Sequence, residues 1–192
     1  VKKKGIIFVI TAPSGTGKTT IIRAILKILQ NVVYSISATT REKRPNEQDG
    51  VDYFFIDEST FLQKIEANQF VEWEKVYDYY YGTPKSFVEK ILSEGKSILL
   101  EVEVKGALSI KKVYPEAIMI YLLPPSLEEL GKRLRERKTE SESDFQKRIE
   151  RAKMELSLKD KFDYFIVNNN LNTAILEVKE LIENLTKEEI NK

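Results

Sequence analysis

The 192-residue chain contains no cysteine and no histidine. Without cysteine there are no disulfides, no thiolate metal sites and no thiol nucleophile, a pattern that points to the cytoplasm. Without histidine the commonest general base and zinc ligand is missing. Neither sign of charge prevails: 31 Lys and Arg stand against 30 Asp and Glu, for a net +1. A global basic field for nucleic acid is therefore not expected. Apolar runs fall far short of the roughly 20 residues a membrane-spanning helix needs. The opening Val1-Lys2-Lys3-Lys4 leads into no apolar stretch with a small-residue cleavage site, so no signal peptide is predicted.

What is present suits one globular α/β domain with an insertion. Hydrophobic residues make up 42% and charged residues 32%, the latter above the usual level of about 25%. Gly5 to Ile10 is a short apolar run rich in β-branched residues, which predicts a buried parallel strand. Thr20 to Leu29 carries apolar residues at helical spacing. Between them lies TAPSGTGKTT, Thr11 to Thr20. Gly15 and Gly17 let the backbone curl so that its N–H groups approach an anion. The helix N-terminus adds positive potential. Lys18 can reach the β- and γ-phosphates, and the Thr19 hydroxyl is a candidate Mg²⁺ ligand. This is the Walker A pattern with Ala12 in place of its first Gly. It identifies a nucleoside triphosphate but leaves the acceptor open. The missing histidine bears on that question. A hydroxyl acceptor calls for a base, whereas a phosphate monoester, with a second pKa near about 6, is already a nucleophile at neutral pH.

Further strands are predicted over 32–37, 51–56, 70–77, 97–103, 117–123 and 163–168. Helices are predicted over 58–68, 84–92, 105–113, 126–137, 144–158 and 171–185. Tyr79 to Thr83 reads as a loop, with Thr83 as N-cap and Pro84 as first residue of the next helix. Ser126 and Glu129 read as a capping box. Strands alternating with helices imply a parallel sheet covered on both faces. Residues 37–83 read as a small mixed unit inserted after the second core strand. Arg41 and Arg44 lie there, just past a strand end, and offer forked donors suited to a phosphate dianion. Tyr53 and Tyr81 could add hydroxyl donors.

The ordered set of motifs resembles guanylate kinase over essentially the whole chain. The matching stretches are Ala12 to Thr19, Ser37 to Arg41 with Arg44-Pro45, Gly50 to Tyr53, Phe70 to Trp73, Tyr80 to Thr83, Leu99 to Glu103 with Gly106, and Ile166 to Asn168. The resemblance implies a three-layer α/β P-loop NTPase fold in one domain. The core is 1–36, 84–136 and 149–192, the GMP-binding insert 37–83, and a helical lid lies at about 137–148. It implies transfer of the ATP γ-phosphoryl group to GMP, and to dGMP, with Mg²⁺. Arg41, Arg44, Tyr53 and Tyr81 are then expected to hold the GMP phosphate, and Ser37, Glu72, Thr83 and Glu103 to read the base. Guanine presents two adjacent donors, N1–H and the N2 amino group, which one carboxylate can accept, and adenine lacks that pattern. Ser14, Gly15, Thr16, Gly17, Lys18, Thr19, Thr20, Arg133, Arg137 and Asn168 are expected on ATP. Lys18, Arg41, Arg137 and Arg148 are expected to stabilise the transferring group. Thr19, with Glu101 through water, is expected on Mg²⁺.

This sequence departs from the family pattern in four places. Glu103 stands where Asp is usual and Lys105 where Gln is common, which bears on base recognition. Glu136 and Lys138 flank Arg137 where many members have Gly, which bears on lid motion. Two rival readings accompany this one: a monophosphate kinase of different base preference, and a non-catalytic guanylate-kinase-like binding module. The intact Lys18 and Thr19 disfavour the module. No Asn-Lys-x-Asp motif supports a GTPase.

Overall fold

The computed structural model describes residues 5–136 and 142–190. At its centre is strand β1 (Ile7–Thr11), whose five residues are all buried. Along β1, Ile7 and Val9 point into one core cluster, while Phe8 and Ile10 point into another. Apolar residues on both faces are what a strand covered on each side requires. β1 is flanked by β7 (Ser97–Glu101) and β8 (Ile118–Leu123), with β2 (Val32–Tyr34) beyond β7 and β9 (Tyr164–Val167) beyond β8. All four pairings are parallel. Helices α1 (Lys18–Leu26) and α7 (Leu171–Ile190) cover one face through Ile21, Ile25, Ala174, Val178 and Ile182. Helices α3 (Lys85–Ser93) and α4 (Val104–Val113) cover the other through Val88, Ile91, Ala107 and Ile110.

A second sheet has the order β4-β3-β6-β5 and is mixed. It comprises β3 (Ala38–Thr39), β4 (Phe54–Phe55), β5 (Phe70–Val76) and β6 (Tyr79–Pro84). Helix α2 (Glu58–Glu66) packs on it through the buried Phe61, whose ring stacks on Phe70 and Tyr80. α5 (Leu127–Glu136) and α6 (Glu142–Ser157) pack together through Leu130, Leu134, Phe145, Ile149 and Ala152. Among the described residues no helix is long and apolar enough to cross a membrane.

Several expectations from the sequence are corrected. Tyr79 to Thr83 is not a loop but most of β6, paired antiparallel with β5. The turn falls earlier, at Tyr77 and Asp78, where Tyr77 takes the left-handed φ of 55°. Thr83 is therefore a ladder residue and not a helix cap, and α3 begins at Lys85 with Pro84 at the cap position. The expected strand over 32–37 is cut short: only 32–34 is strand, in the core sheet, and β3 of the second sheet begins beyond it at Ala38. Only Phe54–Phe55 of 51–56 is strand. The capping box is half made. The Glu129 N–H donates to Ser126 Oγ at 3.0 Å, but the Glu129 carboxylate accepts from Arg133 Nε.

Candidate active site

Parallel sheets bind ligands beyond the carboxyl ends of their strands, and the functional side chains gather there. The loop after β1 turns on Gly15 and Gly17, at φ 93° and 95°. At Gly15 a Cβ would lie 2.9 Å from Leu134 Cδ2, so the loop packs directly onto α5. Asn168 lies against this loop: its side-chain Nδ2 donates to the Thr16 carbonyl at 2.7 Å, and its backbone carbonyl accepts from Arg133 Nη1 at 3.2 Å. Asn168 thus meets the loop's back and is buried, and Arg133 reaches the loop through Asn168. From α6, Arg148 Nη1 donates to Ser14 Oγ at 3.2 Å. Arg137, together with Lys138, lies outside the described residues.

Lys18 opens α1 and points across to the end of β7. Its Nζ donates to the Val102 carbonyl at 3.1 Å and lies 3.6 Å from Glu103 Oε1 and 4.0 Å from Glu101 Oε1. Burial alone lowers the Lys18 pKa, but Glu103 and Glu101 outweigh it and hold the ammonium above its ordinary value. The Thr19 hydroxyl donates to Glu101 Oε1 at 2.9 Å, and the Tyr34 hydroxyl to Glu101 Oε2 at 3.0 Å. Burial and the Glu101 charge keep that phenol protonated. A hydroxyl and a carboxylate in contact are hard oxygen donors of the kind Mg²⁺ takes.

Lys18, Ser37, Tyr53, Glu72, Tyr81, Glu101 and Glu103 line one cleft of about 220 Å³, with Tyr34, Glu74, Val76 and Val102 completing its wall. Residues from both sheets contribute. Arg41 sits at its rim: Nη2 donates to Glu47 Oε1 at 2.7 Å, and the guanidinium lies 5.5 Å from the Tyr53 ring centre. That hydrogen bond, ahead of burial, raises the Arg41 pKa and lowers that of Glu47. The Tyr53 and Tyr81 rings meet edge to face at 6.0 Å. Burial pushes the Tyr53 hydroxyl up to about 12, so it stays a donor. Arg44 is exposed and gives its backbone N–H to Glu47 Oε2.

Glu72 forms the floor. It is buried and accepts a 2.7 Å hydrogen bond from Thr83 Oγ1. Burial, only partly offset by that bond, raises its pKa to about 7. α4 approaches so closely that a Cβ on Gly106 would lie 2.6 Å from Glu72 Oε2. Thr83 does not line the cleft itself but acts behind Glu72.

Sequence reasoning assigned no role to Tyr34, Glu47, Glu74, Arg151 and Glu155; Tyr34, Glu47 and Arg151 contact assigned residues, Glu74 lines the same cleft, and Glu155 pairs with Arg151. Glu74 follows Glu72 by two in β5 and so shares its face. Its Oε2 is buried with no hydrogen-bond partner among the described residues. Gly106 matched the resemblance, but its task of making room for Glu72 is visible only in the fold.

Residues 4–185 match the family model described as guanylate kinase. The chain belongs to the guanylate kinase family. It is 50% identical over 179 residues to the guanylate kinase of Thermotoga maritima, covering 93% of this chain and 86% of that protein. It is 45% identical over 182 residues to the guanylate kinase of Caldanaerobacter subterraneus, covering 95% and 88%. The crystal structure of guanylate kinase from Anaplasma phagocytophilum superposes with a TM-score of 0.80 at 29% identity, covering 96% of this chain and 88% of that one. Membership of the guanylate kinase family makes this chain a nucleotide kinase and accounts for a phosphate loop facing a second, acidic cleft.

Proposed function

We propose that the chain transfers the γ-phosphoryl group of ATP to GMP, giving ADP and GDP, and accepts dGMP as well. The observation that carries this reading is the buried Glu72 carboxylate, fixed by Thr83 at the floor of a cleft whose rim holds Lys18. Its oxygens suit the paired N1–H and N2–H donors of guanine. Glu103 and Ser37 flank the same cleft and complete the base site. Arg41, Arg44, Tyr53 and Tyr81 hold the acceptor phosphate. To do so, Arg41 exchanges part of its contact with Glu47 for the dianion, a like-for-like swap of one anionic partner for another.

On the donor side, Ser14 to Thr20 wrap the ATP phosphates with backbone N–H groups, and Lys18 neutralises charge that develops as the γ-phosphoryl leaves. Arg133 on α5 and Arg148 on α6, with Arg137 outside the described residues, are the cations proposed for the donor phosphates. Asn168 supports the loop on the donor side. Mg²⁺ bound to the phosphates would be held by Thr19, with Glu101 acting through water. When bound, it neutralises phosphate charge and orients the chain of phosphates. Because the acceptor phosphate is itself the nucleophile, no histidine is needed. The insert and the lid region at about 137–148 are proposed to close around the nucleotides and exclude water.

Phosphorus NMR of the chain with ATP, GMP and Mg²⁺ tests the reaction directly. ADP and GDP are expected in equal amounts. ADP accompanied by free phosphate would make the chain a hydrolase and contradict the proposal.

A further inference from the structure

Arg151 lies on α6, outside every set of residues assigned above, yet its guanidinium faces three carboxylates on three different elements. Its Nε donates to Glu155 Oε1 at 2.8 Å, one turn along the same helix. Its Nη2 donates to Glu103 Oε2 at 3.3 Å, at the head of α4. The same nitrogen lies 4.0 Å from Glu74 Oε1, on β5. The other Glu103 oxygen is the one 3.6 Å from Lys18 Nζ. Glu103 is thus suspended between the phosphate-loop lysine and α6, with one oxygen turned to each.

This arrangement solves an electrostatic problem. Glu72, Glu74 and Glu103 all line the acceptor cleft. Three carboxylates on one cleft repel one another, so a cation is needed to hold them in place. Burial already pushes Glu74 and Glu155 up, with Arg151 opposing it in both. Lys18 is committed to the Val102 carbonyl and Glu101 as well. Arg151 is the cation that faces Glu74, Glu103 and Glu155 together. The rigid guanidinium fork sets the two contacts apart, Nε on Glu155 and Nη2 on Glu103, where an ammonium would offer one compact point of charge.

We propose that Arg151 is a positioning residue for the acceptor base: it holds Glu103 aimed along the cleft wall, and ties α6 to β5 through Glu74. It acts through Glu103, since Arg151 itself does not line the acceptor cleft. The inference rests on the proposed reading of that cleft as the GMP site. One consequence is coupling, for movement of α6 carries Glu103's partner with it.

Calorimetric titration of GMP and of ATP, each alone, into the full chain provides the test. The variants are Arg151→Met, Arg151→Lys and the double variant Arg151→Met with Glu155→Gln. A charge-assisted hydrogen bond is worth enough that Arg151→Met should weaken GMP binding about tenfold or more. ATP binding should change by less than about twofold, because the phosphate loop keeps its own contacts. Arg151→Lys should recover part of the GMP affinity. Arg151→Met also strands the buried Glu155, so its Tm should fall, and the double variant should restore Tm without restoring GMP affinity. If GMP affinity is unchanged in Arg151→Met, or returns in the double variant, Arg151 merely neutralises Glu155 and the proposal fails. If the parent chain itself does not bind GMP, the reading of the cleft fails first and this proposal with it.

Discussion

Thr83 Oγ1 donates a 2.7 Å hydrogen bond to Glu72 Oε1 between directly opposed residues of β5 and β6. Both are buried, so the antiparallel register itself delivers the carboxylate, oriented, to the floor of the cleft. Glu72→Gln keeps the volume and the Thr83 contact but replaces one acceptor oxygen with a donor. One guanine donor then faces another donor. Hydrogen bonds to charged groups are worth about 1.5–3 kcal/mol, so kcat/KM for GMP should fall roughly 10²-fold, with the ATP KM nearly unchanged. Steady-state kinetics with each nucleotide varied in turn checks both.

Gly106→Ala should do similar damage from the opposite side. In a helix, Gly to Ala ordinarily gains about 1 kcal/mol. Here the new methyl would sit 2.6 Å from Glu72 Oε2 and 3.2 Å from its Cδ, so the carboxylate must move. GMP affinity should drop about tenfold or more at unchanged ATP affinity. Equal GMP affinity in both proteins would show that Glu72 has room to spare.

The Glu72 pKa of about 7, raised by burial from 4.5, makes two predictions with opposite slopes. Folding favours the protonated acid, so that contribution to stability is fully present below about pH 4.5 and lost as pH rises through about 7. Guanine favours the carboxylate, so GMP affinity should rise over the same window. Binding at pH 6 should be about tenfold weaker than at pH 8. The GMP phosphate titrates near about 6, so Glu72→Gln separates the contributions: only the phosphate's share of the pH dependence should survive.

Lys18→Ala removes the cation that faces Val102, Glu101 and Glu103. Loss of one preorganised electrostatic contact of this kind costs on the order of a hundredfold in rate. kcat/KM should fall by at least about that factor in a protein whose circular dichroism matches the parent. Near-normal turnover would remove Lys18 from the mechanism.

The phosphate loop was legible because its signals are local: a buried strand, two glycines and a helix start lie within one short stretch. The paired arginines and the acidic residues of the cleft were legible as types, and the resemblance supplied their grouping. β6 was not legible, because its turn uses Tyr77 at positive φ in place of a Gly or Asn signal. That shift also hid the role of Thr83, since a threonine before a proline reads first as a helix cap. Arg151 and Glu155 stand at i, i+4 on a charged helix, a spacing that by itself singles out no task. Their burial against Glu103 comes from how α6 docks on the core, which no local pattern encodes. Glu74 shares the face of Glu72 by strand alternation, but that this face turns inward is set by the packing of the second sheet on the core.

ADP formation from ATP and Mg²⁺, measured with GMP, dGMP, AMP, CMP and UMP in turn, tests the account most directly. GMP and dGMP should support turnover. AMP should be lower in kcat/KM by at least about 10²-fold, because it leaves the buried Glu72 without its donor pair. CMP and UMP should fare no better. AMP phosphorylated as efficiently as GMP, or ADP formed at the same rate with no acceptor at all, would contradict the assignment.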